Sequence, residues 1–546
     1  MKSTKKLLSI TNLKKYFPIA KSSIFQREQY YVRANEDISI DIYEGETFSL
    51  VGESGCGKST LGRTILQLYN QTAGSTIYYG QKIQEVAPRY VTKLLANPKK
   101  YISKWHKMVH KADALDKKVA ELEAAGTIKF TDYQERNIAR SEEQTYIKFI
   151  ASILGGLVAI ENNEEGLNLL RARYKVAVQV AKDKVKRQNA KNLRSFYHGK
   201  MEEETDPKKK EKYEKLYKKY CEVYDHWDVL VDAGRDQRTA YKKEIEAYKS
   251  QFVGNPEFDK YEVYFTEGID LSRLTYNEIR SLRKDLQIIF QDPYSSLNPR
   301  MTIGQIIEEG LTTHNMFKHG SRDLKEYILQ TMRECGLQDY MLHRYPHQFS
   351  GGQRQRICIA RALAVQPKFV VCDECVSALD VSIQSQIINL LEELKQKQGL
   401  TYLFISHDLS VVKYISDRIG VMYLGNIVEL GTTDDIFKDP RHPYTVALLS
   451  SIPTTEINDS EKERIILEGN IPSPIKPPEG CKFHTRCFMA CEKCKVEPPE
   501  LKEISPGHFV ACHFLDKKVD ENGNFLAELF RKAKEKEQVV EEPKAE

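Results

Sequence analysis

The chain has 546 residues, which is far longer than one average domain and indicates several folded units. Its 82 basic and 77 acidic side chains leave a formal net charge of only +5, so composition does not demand a nucleic-acid partner. No segment offers about 20 consecutive apolar residues and the N-terminus lacks a signal-peptide pattern, so we expect a cytosolic chain that spans no membrane.

The first 80 residues predict the beginning of an α/β domain with a phosphate-binding loop. The apolar strand FSLV is followed by the pattern G-x-x-x-x-G-K-S/T, which is made by Gly52, Glu53, Ser54, Gly55, Cys56, Gly57, Lys58, Ser59 and Thr60. In this pattern the backbone N–H groups and the helix N-terminus surround a phosphate. Lys58 reaches the β and γ oxygens and the Ser59 hydroxyl serves Mg²⁺. The loop therefore predicts an ATP site.

Residues 81–260 predict an inserted α-helical block, because Lys, Glu, Tyr and Ala dominate and apolar residues recur at helical spacing. One apolar stripe, with steps of three and four, contains Trp105, Met108, Ala112, Leu115, Val119 and Leu122. It indicates amphipathic helices that pack on their neighbours. The strings TIYYG and YEVYF at the two ends predict the paired strands of one hairpin. We therefore expect residues 82–260 to be removable without loss of the nucleotide motifs.

From residue 261 to 450 the α/β pattern returns, and one apolar strand carries two acidic residues at its end. Phe369, Val370, Val371 and Cys372 lead into Asp373 and Glu374. Ligands of open α/β sheets bind at the carboxyl ends of strands, and a buried carboxylate is costly without a cation. We therefore assign Asp373 to Mg²⁺, through water, and Glu374 to the base that deprotonates the attacking water.

The string F-S-G-G-Q at residues 349–353, followed by RQRICIARAL, resembles the signature motif of the ABC ATPases. A Gly-rich turn at a helix N-terminus can present N–H groups and a hydroxyl to a phosphate. The resemblance implies a P-loop ABC ATPase fold with a helical signature subdomain. It also implies a head-to-tail dimer in which the ATP of the opposite subunit is contacted by Ser350, Gly351, Gly352 and Gln353.

Other elements of the same family follow in the expected order. Gln291 resembles the Q-loop glutamine and His407 the switch histidine, so the resemblance gives both a catalytic role. It also makes Gln291 an ATP and Mg²⁺ contact beside Ser59 and Asp373. The D-loop is represented by Ser377, Ala378, Leu379 and Asp380. Phe17 stands where the family stacks an aromatic ring on adenine; the adjacent Tyr16 and a core role are the alternatives.

Longer strings resemble the ATPase subunits of oligopeptide and dipeptide permeases over residues 6–80 and 261–515. These strings are FQDPYSSLNPRMT, PHQFSGGQRQRICIARAL and DPRHPYTVALLSSIP. The resemblance implies an ATPase that energises peptide import at the cytoplasmic face of the membrane. Its partners would be a second ATPase subunit, two membrane permease subunits and, indirectly, an extracellular peptide-binding protein. Cys375 departs from the family, which usually has proline there, and the inserted block is absent from the usual pattern.

The resulting domain prediction has five parts. Residues 1–80 and 261–450 form one ABC ATPase core, interrupted by the helical block at 81–260. Residues 451–515 form the permease-type C-terminal region with its cysteines, and residues 516–546 form a charged tail that is predicted to be disordered.

Four cysteines, Cys481, Cys487, Cys494 and Cys512, resemble the four-cysteine tail of this permease family, and Cys491 is extra. By chemistry alone, thiols clustered in a reducing compartment favour Zn²⁺ or an iron–sulfur cluster, and free thiols are the third possibility. His484, His508 and His513 could also contribute to a zinc site. The family resemblance favours a [4Fe–4S] cluster.

The alternative function is that of a non-transport ABC ATPase acting on nucleic acid, since long helical insertions occur there too. In the chromosome-type proteins, however, the helical arm lies between the Q-loop and the signature, whereas here the block precedes Gln291. The block's lysines alternate with glutamates and form no one-sided basic stripe. We therefore expect no nucleic-acid partner.

Overall fold

The structure, a computed structural model, describes residues 5–20, 30–125, 127, 130–161, 163–452 and 465–515. The charged tail predicted for residues 516–546 lies outside these ranges. Within them, no helix is both long enough and apolar enough to cross a bilayer.

Two sheets organise the α/β part of the chain. The strands, in chain order, are β1 (Lys6–Pro18), β2 (Tyr31–Tyr43), β3 (Thr47–Val51), β4 (Ala73–Tyr78), β5 (Ile269–Asp270), β6 (Leu286–Ile289), β7 (Phe369–Asp373), β8 (Thr401–Ile405), β9 (Arg418–Tyr423), β10 (Asn426–Thr432), β11 (Lys502–Ser505) and β12 (His508–Val510). The smaller sheet has the order β2-β1-β4-β5 and the larger one β11-β12-β10-β9-β3-β8-β7-β6.

The helices surround and interrupt these sheets. In chain order they are α1 (Lys58–Ile65), α2 (Ile83–Val86), α3 (Arg89–Ala96), α4 (Pro98–Ala124), α5 (Phe130–Leu154), α6 (Glu164–Glu203), α7 (Pro207–Ser250), α8 (Pro256–Glu262), α9 (Tyr276–Leu282), α10 (Pro293–Ser296), α11 (Ile303–Thr313), α12 (Arg322–Glu334), α13 (Gly351–Ala364), α14 (Val381–Gln398), α15 (Leu409–Ile415), α16 (Thr433–Lys438), α17 (Pro443–Ser450) and α18 (Glu492–Val496).

The centre of the larger sheet is parallel and buried. The five strands from β9 to β6 in the sheet order pair in parallel with one another, whereas β10 is antiparallel to β9. Every residue of β3, β7 and β8 is buried, as expected for strands that are covered on both faces. Parallel strands end at the same edge of a sheet, so the loops that follow β3, β6, β7 and β8 are brought together there.

The C-terminal region is joined to this sheet rather than standing apart from it. Strand β12 pairs with β10, and β11 pairs with β12. The buried His508 ring lies 2.9 Å from Glu429 Oε1 through its Nε2 atom, so the two strands also share a buried polar contact. His508, named above as a possible zinc ligand, thus makes a polar contact with Glu429.

The predicted strand YEVYF, residues 261–265, is wrong. Helix α8 ends in this string and turns follow, and the strand that pairs with β4 is the short β5, in the register Tyr78 to Ile269. Asn255 accepts a hydrogen bond from the Glu257 N–H at the helix N-terminus, and Pro256 occupies the first turn. This cap outweighs the strand preference of the aromatic and β-branched residues.

Helices α2 to α8 connect β4 to β5. Helix α4 packs along α5, and two residues of the apolar stripe predicted on α4, Ala112 and Val119, are buried. Helices α6 and α7 have 40 and 44 residues and pack along each other as one long hairpin. Helices α3, α5 and α8, which we call the base of the block, share an apolar core with the smaller sheet. Leu94, Phe149 and Phe258 of these helices belong to the same buried cluster as Leu8 of β1.

Helix α6 also reaches the signature subdomain, which is formed by α10 to α13. The buried Asn192 side chain donates to the Asn315 carbonyl at 2.6 Å, and Ser195 bonds to Asp323 at the start of α12. At the other end of α6, Arg173 forms an ion pair with Glu267 at 3.0 Å. Helix α6 is therefore fixed both to the sheet part of the ATPase and to its signature subdomain.

Candidate active site

The phosphate loop connects β3 to α1 and depends on glycine at two crowded positions. Gly52 and Gly57 have φ angles of 147° and 103°, which favour glycine. A Cβ atom at Gly52 would collide with the Met422 carbonyl, and one at Gly57 with the Ala34 carbonyl. Glycine thus lets the loop pack directly against neighbouring backbone.

Lys58 points back into this loop. Its ammonium group donates to the Gly52 carbonyl at 2.7 Å and to the Glu53 carbonyl at 3.1 Å, and the residue is only 5% exposed. The other predicted loop residues follow the expected order along the chain, with Ser54 and Gly55 exposed, Cys56 buried, and Ser59 and Thr60 half-buried in the first turn of α1. Burial raises the pKa of the Cys56 thiol, so no thiolate competes with a bound phosphate.

Asp373 ends β7 and is 2% exposed. Its Oδ2 atom accepts from Arg63 Nη2 at 3.1 Å and from Arg63 Nε at 3.3 Å. Its Oδ1 atom is buried and, among the residues that the structure describes, accepts no hydrogen bond. A buried carboxylate oxygen without a partner is costly, so Oδ1 suits a cation or a cation-bound water. Asp373 thus fits the predicted Mg²⁺ site.

Glu374 lies between residues from the two neighbouring strands. Gln291, which follows β6, donates its Nε2–H to Glu374 Oε2 at 2.8 Å. His407, which follows β8, has its Nδ1 atom 3.7 Å from the same oxygen. The backbone of Glu374 is left-handed, with φ of 51°, and its N–H donates to the Ile405 carbonyl at 3.0 Å. Three residues predicted to be catalytic therefore meet at the edge of the sheet.

The signature residues begin α13. Ser350 Oγ accepts from the Gln353 N–H at 3.4 Å and the Gln353 side chain accepts from the Ser350 N–H at 3.1 Å, which is a capping box. Ser350 and Gly351 are exposed, and Gly352 and Gln353 are half-buried. The helix N-terminus is thus open to a ligand from outside this subunit.

The D-loop lies directly beside the signature. Leu379 is close enough that a Cβ atom at Gly351 would stand 3.8 Å from its Cδ2 atom. Asp380 caps α14 by accepting from the Ile383 N–H at 3.0 Å, and Ser377 Oγ donates to the Glu374 carbonyl at 2.9 Å. Ser377 and Ala378 are exposed. The D-loop therefore links Glu374 to the signature surface.

Phe17 lies near the end of β1 and is half-buried. Its ring makes an edge contact with Tyr69, at 5.4 Å between centroids, and Lys15 Nζ stands 4.5 Å from its centre. The neighbouring Tyr16 hydroxyl donates to Glu36 at 2.8 Å, and burial raises the pKa of that hydroxyl. Tyr16 is thus engaged elsewhere, while the adenine contact of Phe17 stays a prediction.

The four predicted cysteines line one pocket. Cys481, Cys487, Cys494 and Cys512 face it, and the Cys491 sulfur lies 3.6 Å from that of Cys494. Burial raises the pKa of each of the four thiols, to about 12 for Cys512. Throughout the described ranges, however, no three His, Cys, Asp or Glu side chains are grouped so as to hold a metal ion. The pocket has the donor set of a metal site without its finished geometry.

Two contacts were missed by the sequence reasoning. Arg63 pairs with Asp373, as described above, and Arg486 pairs with Glu53 of the phosphate loop at 2.7 and 3.0 Å. Arg63 lies in the helix after the phosphate loop and Arg486 directly before Cys487, but the sequence analysis gave neither arginine a role. Arg486 and Glu53 lie 433 residues apart in the chain, so no local sequence pattern could have predicted their contact.

Comparison with known proteins agrees with this geometry. The ABC transporter family profile matches residues 35–200 and 252–377, together more than half of the chain, and the profile of the oligopeptide/dipeptide transporter C-terminal region matches residues 428–494. The oligopeptide transport ATP-binding protein AppF of Bacillus subtilis is 50% identical over 287 residues, which cover 52% of this chain and 84% of AppF.

The oligopeptide transport ATP-binding protein OppF of Salmonella typhimurium is 51% identical over 250 residues, covering 46% of this chain and 74% of OppF. The phosphate loop, the acidic end of β7 and the signature helix all lie in the ATPase part described above. The chain therefore belongs to the ABC transporter family of ATP-binding proteins and carries the C-terminal region of its oligopeptide/dipeptide members.

Proposed function

We propose that this chain is the ATP-binding and ATP-hydrolysing subunit of a peptide importer, converting ATP and water to ADP and phosphate. The observation that carries the proposal is the position of Glu374, between Gln291 and His407 at the sheet edge that also bears the phosphate loop. The relatives named above are oligopeptide transport ATP-binding proteins, which supports a peptide cargo.

In the proposed reaction, the loop amides and Lys58 bind the β- and γ-phosphates of ATP. Bound Mg²⁺, held by Ser59 and through water by Asp373, would neutralise charge on the phosphates, with Gln291 as a further contact. The Glu374 carboxylate accepts a proton from the attacking water, while Gln291 and His407 hold that carboxylate and orient the water. Arg63 keeps Asp373 in place through its two donated bonds.

The second part of the site is proposed to come from another ATPase subunit. Ser350 and Gly351 are exposed at a helix N-terminus, which is suited to a phosphate arriving from outside. A head-to-tail dimer would place this signature, with Gln353, on the ATP held by the partner. The D-loop contact between Ser377 and Glu374 would connect the two shared sites.

The wider assembly follows from the relatives. We propose that two membrane permease subunits anchor the ATPase pair at the cytoplasmic face of the membrane, and that an extracellular peptide-binding protein supplies the cargo. No feature of the site and none of the named relatives favours the nucleic-acid alternative. The helical block at 81–260 is proposed to be an insertion into the ATPase core, because its helices separate the paired strands β4 and β5.

The experiment is purification of the tagged chain from membranes, followed by ATP hydrolysis measurements on the complex. We expect a second ATPase subunit and integral membrane subunits to accompany the chain, and turnover to depend on Mg²⁺. Lys58→Ala should weaken ATP binding itself, because it removes the ammonium group aimed at the phosphates. Recovery of the chain with DNA, in place of membrane subunits, would overturn the proposal.

The cysteine pocket is proposed to hold a [4Fe–4S] cluster, with Zn²⁺ as the alternative. The family resemblance favours the cluster, and the four cysteines that line the pocket would supply the thiolate ligands for either metal. The four raised thiol pKa values describe buried sulfurs that a metal would convert to stable thiolates.

Anaerobic purification tests the pocket. We expect a brown protein with broad visible absorption that is lost when Cys481, Cys487, Cys494 and Cys512 become serine. Cys491→Ser is the matched control and should keep the colour. A colourless anaerobic protein carrying zinc would reject the cluster, and a metal-free protein would leave free thiols as the answer.

A further inference from the structure

The C-terminal region makes a direct contact with the phosphate loop. Arg486 donates from Nη1 to Glu53 Oε2 at 2.7 Å and from Nη2 to Glu53 Oε1 at 3.0 Å. The arginine side chain is 6% exposed and the glutamate 25%. Two parallel bonds between a guanidinium and a carboxylate fix the orientation of both groups as well as their separation.

The partner of Arg486 is part of the loop that forms the phosphate site. The Glu53 carbonyl accepts from Lys58 Nζ at 3.1 Å, so Glu53 bonds to Arg486 through its side chain and to Lys58 through its backbone. The Glu53 N–H donates to the Tyr444 hydroxyl at 2.8 Å, and Tyr444 is fully buried. The first turn of the loop is thus held from outside by two residues of the C-terminal half.

An aromatic cluster supports this contact from behind. The Tyr444 ring lies 4.9 Å from that of Tyr423 and 5.4 Å from that of Phe483, measured between centroids. Phe483 lines the cysteine pocket, and Arg486 lies between it and Cys487 in the chain. Both contacts to Glu53 are therefore anchored in a packed core, which limits their freedom to move.

Charge gives Arg486 a second role. Glu53 places a carboxylate in the loop that must bind the polyphosphate of ATP, and a like charge beside a phosphate is unfavourable. The guanidinium of Arg486 neutralises that carboxylate and fixes its position through two bonds. Without Arg486, the Glu53 side chain would be free to move and its negative charge would not be neutralised.

We propose that Arg486 is a positioning residue for ATP binding, which holds the phosphate loop and neutralises Glu53. This inference rests on the proposed ATPase function and extends it to a residue outside the nucleotide motifs. Arg486 does not touch the reacting atoms and acts through Glu53. Its loss should therefore alter the affinity for ATP more than the turnover at saturating ATP.

The test compares ATP affinities of the full-length chain, purified anaerobically, by isothermal titration with ATP and Mg²⁺. Arg486→Gln should raise the Kd for ATP about tenfold, which corresponds to the removal of one favourable charged contact. Adding Glu53→Gln to that variant should restore part of the affinity, because the unpaired carboxylate is then gone. A role in general folding alone would not show this rescue.

Lys482→Gln is the matched control. Lys482 joins the same C-terminal segment to Glu36 of β2 at 3.0 Å, with 17% and 20% of the two side chains exposed, and it makes no described bond to the phosphate loop. We expect its Kd to stay within about twofold of the wild-type value. An equal loss in Lys482→Gln, an unchanged Kd in Arg486→Gln, or no rescue by Glu53→Gln would each overturn the inference.

Lys58→Ala separates this inference from the proposed function. If the wild-type chain binds ATP and Lys58→Ala does not, the proposed function stands, and the Arg486 variants then decide the inference alone. If the wild-type chain and Lys58→Ala give the same signal, the proposed ATP site fails and the inference fails with it.

Discussion

Side chains from distant parts of the chain meet in the nucleotide site, whereas the helical block is built largely from helices that follow each other in sequence. Glu374 lies 83 residues from Gln291, and Asp373 lies 310 residues from Arg63. In the block, α6 and α7 are consecutive, and many of their charged pairs are local, such as Lys215 with Glu211 one turn away. Such exposed local pairs contribute little stability.

The difference concerns how much each region tolerates change. The residues predicted to be catalytic follow buried strands, and the phosphate loop beside them contains glycines that have no room for a side chain. A small displacement here therefore disturbs several contacts at once. The hairpin of α6 and α7 is held mainly by contacts between these two helices, together with the α6 contacts at Asn192 and Ser195 described above. The base of the block is different, because Leu94, Phe149 and Phe258 are packed into the core of the smaller sheet. The hairpin should therefore tolerate substitutions better than the base of the block does.

The largest effect is expected in the nucleotide site. Glu374→Gln keeps the side-chain shape and removes the carboxylate that accepts the proton, so hydrolysis at the sites using it should fall about a hundredfold to ten-thousandfold. ATP affinity should be retained, because Lys58 and Asp373 are unchanged. The measurement is ATP affinity and turnover in the assembled complex, beside a variant of the partner's own base.

A partner subunit with its own glutamate would keep one active site and so allow residual turnover. The decisive complex lacks both glutamates. Full hydrolysis by that complex would mean that Glu374 is not the base.

The next effect tests the base of the block. Phe258 is 1% exposed and its ring fills the space that a Cβ atom at Gly156 would need. Phe258→Ala should lower the free energy of unfolding by about 3 to 5 kcal/mol, because it leaves a cavity in a shared core. Urea unfolding of the full chain, followed by circular dichroism, would measure it.

Val229→Ala is the matched control for Phe258→Ala. Val229 lies in α7 and is 69% exposed, so its change should stay within about 0.5 kcal/mol. Equal losses in the two variants would show that the base is no more structural than the hairpin.

A smaller effect is expected at the phosphate loop backbone. Gly57→Ala combines a φ angle of 103° with a collision against the Ala34 carbonyl, so we expect a loss of about 1 to 3 kcal/mol of stability together with weaker ATP binding. Gly45→Ala has a φ of 77° and open space around its Cβ position. It should cost stability only and leave the Kd for ATP unchanged. Weaker ATP binding in both variants would argue against a local effect.

The smallest effect is predicted for the tip of the hairpin. Replacing residues 200–217 by a short turn should leave the Kd for ATP within about twofold, since closing a loop of this kind costs little. The sequence analysis predicts that residues 82–260 can be removed, but this deletion also takes Leu94, Phe149 and Phe258 out of the shared core. We expect that longer deletion to be unstable. Equal thermal stability of the two deletions would contradict the division of the block into base and hairpin.

The strand, turn and helix around the nucleotide motifs could be predicted because their signals are local. The loop from Gly52 to Thr60 carries its own strand, turn and helix signals, and the apolar string before Asp373 identifies a buried strand. That Gln291 and His407 should approach Glu374 followed from the family resemblance and from the common edge of parallel strands.

Other features could not be predicted because distant or local packing decided them. The contact between Arg486 and Glu53 depends on the folded position of the C-terminal region. The string YEVYF has strand-like residues, yet the cap at Asn255 and the burial of Phe258 favour a helix. The strand β5 has two residues, which is too short for any periodicity to reveal. The four cysteines were predicted together by spacing and resemblance, while their pKa values depend on burial.

Helix α6 is held by polar contacts at two positions along its length. It is joined to the sheet part near Arg173 and to the signature subdomain at Asn192, a span of about 30 Å for a straight helix. A rotation of the subdomain by a single degree about the first support would shift the second by about 0.5 Å, which is comparable with the full range of a good hydrogen-bond length. A few degrees of relative motion must therefore bend helix α6 or break the Asn192 bonds. If the bonds hold, movement of the subdomain is stored in the helix as elastic strain.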